Sequence, residues 1–156
     1  MTIEVRKYQS RDRRAVLRIA VESFVGVCMD ENIERQFGVV GDRWEDYKKE
    51  AIDYDLVNNP ASTFVAVVDG EVAGFVCNRL YTSRSIGHVA NLAVASQFQG
   101  KGVGKVLMRA SLEHFRERGM RHARIETLEQ NAKAQKFYPS LGFKEIGRQI
   151  FYFMKL

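Results

Sequence analysis

Residues 97–107, QFQGKGVGKVL, set Gly100, Gly102 and Gly104 at alternate positions and then enter an apolar helical repeat of Val103, Val106, Leu107 and Ala110. The run before them, HVANLAVAS at 88–96, is rich in β-formers. The glycines therefore join a strand to a helix, and a chain with such a junction belongs among mixed α and β folds. The start of a helix leaves several backbone N–H groups without internal partners, and the helix dipole makes that end attractive to anions. Side chains would keep a phosphate from reaching those groups, whereas glycines remove the obstruction and allow the backbone angles of a concave nest. A glycine-rich turn with no ligand is the plainer alternative. Two nucleotide readings fail on spacing. A P-loop needs Gly-Lys followed by Ser or Thr, but Gly102 follows Lys101 and Val106 follows Lys105. A dinucleotide fingerprint needs a third glycine where Lys105 and Leu107 stand.

The rest of the chain organises around that junction. Residues 2–8 alternate as a strand, and Ser10 caps a first helix carrying Val16, Ile19, Ala20 and Ser23 at helical spacing. From 29 to 41 the pattern is weak. Residues 42–45 read as a capping box ahead of Trp44, Tyr47, Ala51 and Tyr54, which predicts a second helix over 43–57. STFVAVVDGEVAGFVCNRL, at 62–80, holds two β-rich runs around Asp69 and Gly70, the pair that supplies the positive backbone angles of a two-residue hairpin. After the glycine loop, a helix ends at Gly119 and HARIETLE (122–129) predicts another strand. Asn131 opens a short helix to Tyr138, and closing strands are expected at 143–147 and 149–155. No linker divides the sequence, so residues 1–156 are expected to form a single domain.

Composition narrows the partners. The net charge is +5, and Lys and Arg outnumber Glu from Gln99 to Lys136, around the glycines. That excess favours an anionic ligand, but no helix-turn-helix, zinc spacing or RNA-binding aromatic signature accompanies it, so nucleic acid is not expected. The two cysteines, Cys28 and Cys77, have no metal-ligand spacing, and no metal is expected. The opening residues lack the apolar core of a signal peptide, and no apolar stretch approaches the roughly 20 residues of a spanning helix. A cytoplasmic protein without membrane insertion is the expectation.

Gln99, Gly102 and Gly104 form Gln-x-x-Gly-x-Gly, which closely resembles the acyl-CoA-binding motif of the GNAT acetyltransferase superfamily. A second block, NAKAQKFYPSLGF at 131–143, resembles that family's later motif, with Asn131, Ala134, Phe137, Tyr138, Leu141, Gly142 and Phe143 in register. The two blocks stand in the family's order, and the likeness is weakest from 25 to 59. It implies a mixed, mostly antiparallel twisted sheet of roughly six or seven strands flanked by about four helices, with splayed middle strands. It also implies acetyl-CoA as cosubstrate. Backbone groups of Leu92 and Val94 would hold the pantetheine arm, and Gln99, Gly100, Lys101, Gly102, Val103, Gly104 and Lys105 the pyrophosphate. Asn131 would contact the arm or support its tunnel. Paired subunits are common in the family, so a homodimer is a further expectation.

The implied reaction is direct attack of an amine on the acetyl thioester. An alkyl amine with a pKa of about 10.4 is only roughly one part in a thousand neutral near pH 7, so a base must take its proton, and the departing thiolate gains from an acid. Tyr138 occupies the family's usual position for that acid. Pro139 departs from the family pattern and disfavours helical geometry at Tyr138, so a displaced hydroxyl is expected. Glu126 lies where ribosomal-protein amino-terminal acetyltransferases of the superfamily carry a Glu. As a base it would need a raised pKa or a water relay. His88 and Asn91 on the preceding strand are alternatives, and the Val94 N–H is a candidate to stabilise the oxyanion. Phe24, Cys28, Met29, Trp44, Tyr47 and Tyr54, with Glu22 and Asp30 as anionic anchors, are the acceptor-side candidates, although an aromatic stripe such as Trp44, Tyr47 and Tyr54 also reads as core. A protein or peptide amino group, a small amine such as a polyamine, amino acid derivative or aminoglycoside, and a sensor without turnover all remain open.

Overall fold

The computed structural model describes residues 1–156. Its elements are β1 (Ile3–Lys7), α1 (Arg13–Phe24), α2 (Met29–Phe37), α3 (Trp44–Asn58), β2 (Thr63–Val68), β3 (Glu71–Tyr81), β4 (Ile86–Val94), α4 (Val103–Glu117), β5 (His122–Arg124) and α5 (Ala132–Ser140). One five-stranded sheet runs β1-β2-β3-β4-β5, antiparallel through β4 and parallel between β4 and β5. The β2–β3 hairpin turns at Asp69 and Gly70, with φ of 50° and 81°, as the sequence predicts.

Each sheet face has its own core. On one face Val16, Ile19 and Ala20 of α1 and Ile52 and Leu56 of α3 pack on Val65, Phe75, Cys77 and Ala93. On the other, Val103, Leu107, Met108 and Phe115 of α4 cover Ala66, Val68, Ala73, Val76 and Val89. Phe115 reaches β4 because Gly87 has no side chain, and a Cβ there would collide with the ring. Burying each such large apolar side chain stabilises the fold by about 1.5–3 kcal/mol.

Four expectations are corrected. The first helix begins at Arg13, because Asp12 turns back to accept the Gln9 N–H at 2.9 Å and pairs with Arg6, closing a tight turn over 10–12. Residues 29–37, patternless in sequence, form α2, whose faces are only partly buried. The expected capping box at 42–45 does not form: the α3 start is capped from outside, the Trp44 N–H donating to Glu34 Oε2 at 2.9 Å. Finally, the strand at 122–129 shrinks to His122–Arg124, and residues 143–147 and 149–155 form no strand, so the sheet has five strands. The apolar pattern of those residues is β-like, but their backbone finds no partner strand within the subunit.

Candidate active site

The sheet splits where the glycine loop begins. β4 pairs with β5 only at Ile86–His122, Gly87–Ala123 and His88–Arg124, while β4 continues to Val94 with that edge open. The Ala95 N–H donates to Ala73 on β3, at 2.9 Å. Strand alternation therefore turns the backbone groups of Leu92 and Val94 the other way, toward the open edge. The Val94 carbonyl there already accepts from Ser23 Oγ at 3.2 Å and Gln99 Nε2 at 3.1 Å, so Gln99 secures the loop to its strand.

Beyond that anchor, the N–H groups of residues 100–105 donate to no acceptor in the chain; the first helical bond comes from Val106 to the Gly102 carbonyl at 3.1 Å. Gly100 and Gly102 sit at φ of 74° and 86°, with open space where a Cβ would project. Backbone angle, more than room, is what demands glycine at these two positions. A row of unpaired amides at the N-terminus of a fifteen-residue helix, flanked by exposed Lys101 and Lys105, is a built anion cradle and fits the pyrophosphate of coenzyme A.

At the narrow end of the split, His88 Nε2 lies 2.7 Å from Glu126 Oε1. The imidazole is buried, stacks on Tyr81 at 5.9 Å, and keeps a buried Nδ1 with no partner, whereas the Glu126 side chain is 58% exposed. Two residues weighed as rival bases are thus one hydrogen-bonded pair. The contact from His88 holds the Glu126 carboxyl below its usual range despite partial desolvation. Of the two conditions under which Glu126 would serve as a base, a raised pKa or a water relay, the first is not met, because a donor sits on the carboxylate. Tyr138 is half-buried, and its hydroxyl is pushed up to about 12, first by burial and then by the charge of Glu126. Pro139 does not break the helix, since α5 runs on to Ser140. Asn131 is the α5 N-cap, its Oδ1 accepting the Ala134 N–H at 3.1 Å.

On the α1–α3 side a polar chain lies against the same strands. Asp55, with no exposed surface, takes Arg79 at 2.7 and 3.1 Å. Lys48 donates to Asn91 Oδ1 at 2.9 Å while its ammonium sits 3.4 Å from the centre of the Phe24 ring. Burial draws the Lys48 ammonium below its usual value. Asn91 is thereby committed to α3, away from the His88–Glu126 pair. Lys48 escaped the sequence reading because nothing in the spacing of α3 marks it.

Of the acceptor-side candidates, Trp44 and Tyr47 line a pocket of about 190 Å³ with Asp30, Glu34, Asp42 and Phe153. Tyr54 is exposed, Cys28 is buried, and Glu22 pairs with Arg18 on the surface at 3.6 Å. A clasp joins the two sides: Gln130 Nε2 donates to Gly26 O at 2.6 Å and to Asn32 Oδ1 at 3.0 Å, and Asn32 Nδ2 returns a bond to Gln130 Oε1 at 2.9 Å. No cluster of metal-ligating side chains and no helix long and apolar enough to cross a membrane is present.

The comparisons with known proteins converge. Residues 16–143 match the Acetyltransferase (GNAT) family. The chain is 29% identical to an uncharacterised N-acetyltransferase of Archaeoglobus fulgidus, covering 88% of this chain and 90% of that protein. It is 30% identical to N-alpha-acetyltransferase 30 of Schizosaccharomyces pombe, over 70% of this chain and 75% of the relative. The crystal structure of a PaiA N-acetyltransferase from Thermoplasma acidophilum, in complex with coenzyme A, superposes with a TM-score of 0.75 at 23% identity, covering 92% of this chain and 91% of that one.

Proposed function

This chain belongs to the GNAT acetyltransferase family and is an acetyl-CoA-dependent N-acetyltransferase, and from that premise we propose that it transfers the acetyl group directly to the primary amine of a protein or peptide. The observation that carries the chemistry is the juxtaposition of a free amide row at 100–105, an open β4 edge, and the His88–Glu126 pair within the field of Tyr138. Bound acetyl-CoA supplies an activated thioester. Residues 99–105 hold its pyrophosphate through backbone amides, with Lys101 and Lys105 adding charge. Leu92 and Val94 bind the amide arm through the unpaired strand edge, and the Val94 N–H faces the acetyl oxygen.

The acceptor enters as an ammonium ion and loses its proton through water at the exposed Glu126 carboxylate, the relay that a lowered carboxylate pKa requires. His88 orients the carboxylate and shares the charge. The amine nitrogen then bonds to the acetyl carbon as the carbon–sulfur bond breaks, Tyr138 delivers its proton to the sulfur, and the proton shed by the acylated nitrogen passes through water to the Tyr138 phenolate. A hydroxyl pushed up to about 12 stays protonated near neutrality and is correctly poised for that donation. A peptide acceptor is supported by the likeness to an N-alpha-acetyltransferase. A small cationic amine is the second reading, favoured by the carboxylates of Asp30, Glu34 and Asp42 around the aromatic pocket. Both thiols are free and buried, which supports a cytoplasmic setting.

Thiol release, followed with peptides bearing free amino termini, the same peptides blocked, and small polyamines, tests the acceptor. Turnover confined to the free-amine peptides is expected. Turnover with polyamines alone would establish the second reading, and acetyl-CoA binding without turnover on any amine would leave a sensor.

A further inference from the structure

We propose that Lys48 is a specificity residue: its ammonium, on the α1–α3 side of β4, pairs with a carboxylate that the acceptor carries close to the amine to be acetylated. The inference rests on the transfer to a peptide amine drawn above, and it names the peptides concerned as those with an acidic residue at one of their first two positions.

Position supports this first. Trp44, Ile52, Asp55 and Leu56 are the buried positions of α3, and Lys48 stands on that same face, one turn after Trp44. Such a position ordinarily takes an apolar residue. The Lys48 ammonium instead lies 3.4 Å from the centre of the Phe24 ring and donates to Asn91 Oδ1 at 2.9 Å. Both partners border the part of β4 with the open edge. Asn91 immediately precedes Leu92, and Ser23, beside Phe24, donates its hydroxyl to the Val94 carbonyl at 3.2 Å. The glycine loop leads into α4, which covers the opposite face of the sheet, so a coenzyme held by that loop leaves the α1–α3 face to the acceptor. Trp44 also lines the aromatic pocket, which places Lys48 beside that space.

Charge supports it independently. Asp55 is the buried carboxylate of this cluster, and Arg79 takes both of its oxygens, at 2.7 and 3.1 Å. The Asn91 amide stands between Asp55 and Lys48, its Nδ2 only 3.5 Å from Asp55 Oδ2. Asp30 acts on Lys48 through space without pairing with it. Two cations and one anion therefore share a partly dehydrated region, and one positive charge has no counter-ion. An amide oxygen and a ring face solvate an ammonium but do not neutralise it. Lys48 is half-buried, so a ligand can still reach it. A carboxylate arriving with the acceptor would complete a charge-assisted pair, whereas a polyamine would bring only further positive charge.

Calorimetry on the protein saturated with coenzyme A, where no transfer occurs, reads the inference without turnover. Peptides with Glu or Gln at the first position, and a second pair differing at the second position, are compared. The Glu peptide of one pair is expected to bind at least ~10-fold more tightly than its Gln partner. Free glutamate, titrated alongside, is expected to bind weakly; binding as tight as that peptide would assign the carboxylate to an amino acid and overturn the peptide class. Lys48→Met replaces an unpaired charge with an apolar chain, so the melting temperature should not fall, while the Glu peptide drops to the affinity of the Gln peptide. Equal binding of Glu and Gln peptides by the native protein overturns the inference. So does an equal loss for both in the variant, which would make Lys48 only a support for Asn91. Thiol release then separates the two readings. Turnover of all peptides without discrimination strikes the role of Lys48 and leaves transfer to peptides standing, whereas discriminating binding with no turnover of any peptide keeps the Lys48 site and strikes the transfer.

Discussion

Tyr138 and Glu126 are set to opposite protonation states by the same few ångströms of cleft. Burial and the neighbouring carboxylate keep the phenol protonated, while the His88 contact keeps the carboxylate ionised. Tyr138→Phe is expected to lower kcat by ~100-fold with acetyl-CoA binding retained, since a positioned proton donor contributes on that order. Calorimetry beside steady-state thiol release separates the two effects, and an unchanged kcat would remove Tyr138 from the acid role. A base works only when deprotonated, so activity is lost as pH falls through its pKa. With Glu126 below the usual range, its acid limb in kcat/KM should lie below about pH 4.3. His88→Ala removes the donor and should move that limb upward. A limb that stays in place in the variant would dissociate the pair from catalysis.

At the level of elements, the glycine loop separates two reasons for glycine. Gly102 is the α4 N-cap at φ 86°, a region that costs an L-residue about 1–2 kcal/mol. Gly102→Val should therefore lower the melting temperature modestly and weaken acetyl-CoA binding as the amide row tilts. Gly104 lies in ordinary helix, and a Cβ there would meet Phe137 at an ordinary 3.5 Å. Gly104→Ala should thus fold normally, and loss of affinity in that variant, read by calorimetry, would mean that the coenzyme itself comes close to this carbon. The loop and the β2–β3 hairpin were legible because glycine spacing and an Asp-Gly turn are local chemistry. α2 was not, since its register is set by contacts with α3 such as Glu34 to the Trp44 N–H. The closing strands were read from a genuine β pattern, but a pattern names a preference and not a partner. His88 and Glu126 were each visible in sequence, whereas their contact was not, because it depends on where parallel pairing of β4 and β5 ends.

Across the whole molecule, three acidic groups, Asp12, Glu126 and Asp55, tie flanking segments to strands of the sheet. Asp12 is held below its usual carboxylate range, chiefly by its hydrogen bond from Arg6. A depressed folded pKa contributes stability that is fully present above the unfolded value of about 3.9 and is lost as pH falls through the folded one. Glu126 acts with the same sign. Melting temperature should therefore decline below about pH 4, and Asp12→Asn should flatten that decline while lowering stability near neutrality. Asp55→Ala strands Arg79 beneath α3 and should cost about 2–3 kcal/mol in urea unfolding, below the full penalty of a buried pair because Arg79 is 35% exposed. The amide clasp from Gln130 to Gly26 and Asn32 has a different consequence. It spans 104 and 98 residues of sequence and fastens the strand-end loop to the α1–α2 corner. The two segments are consequently buckled together, and any motion of the approach to α5 relative to the α1–α2 corner has to break these three hydrogen bonds first.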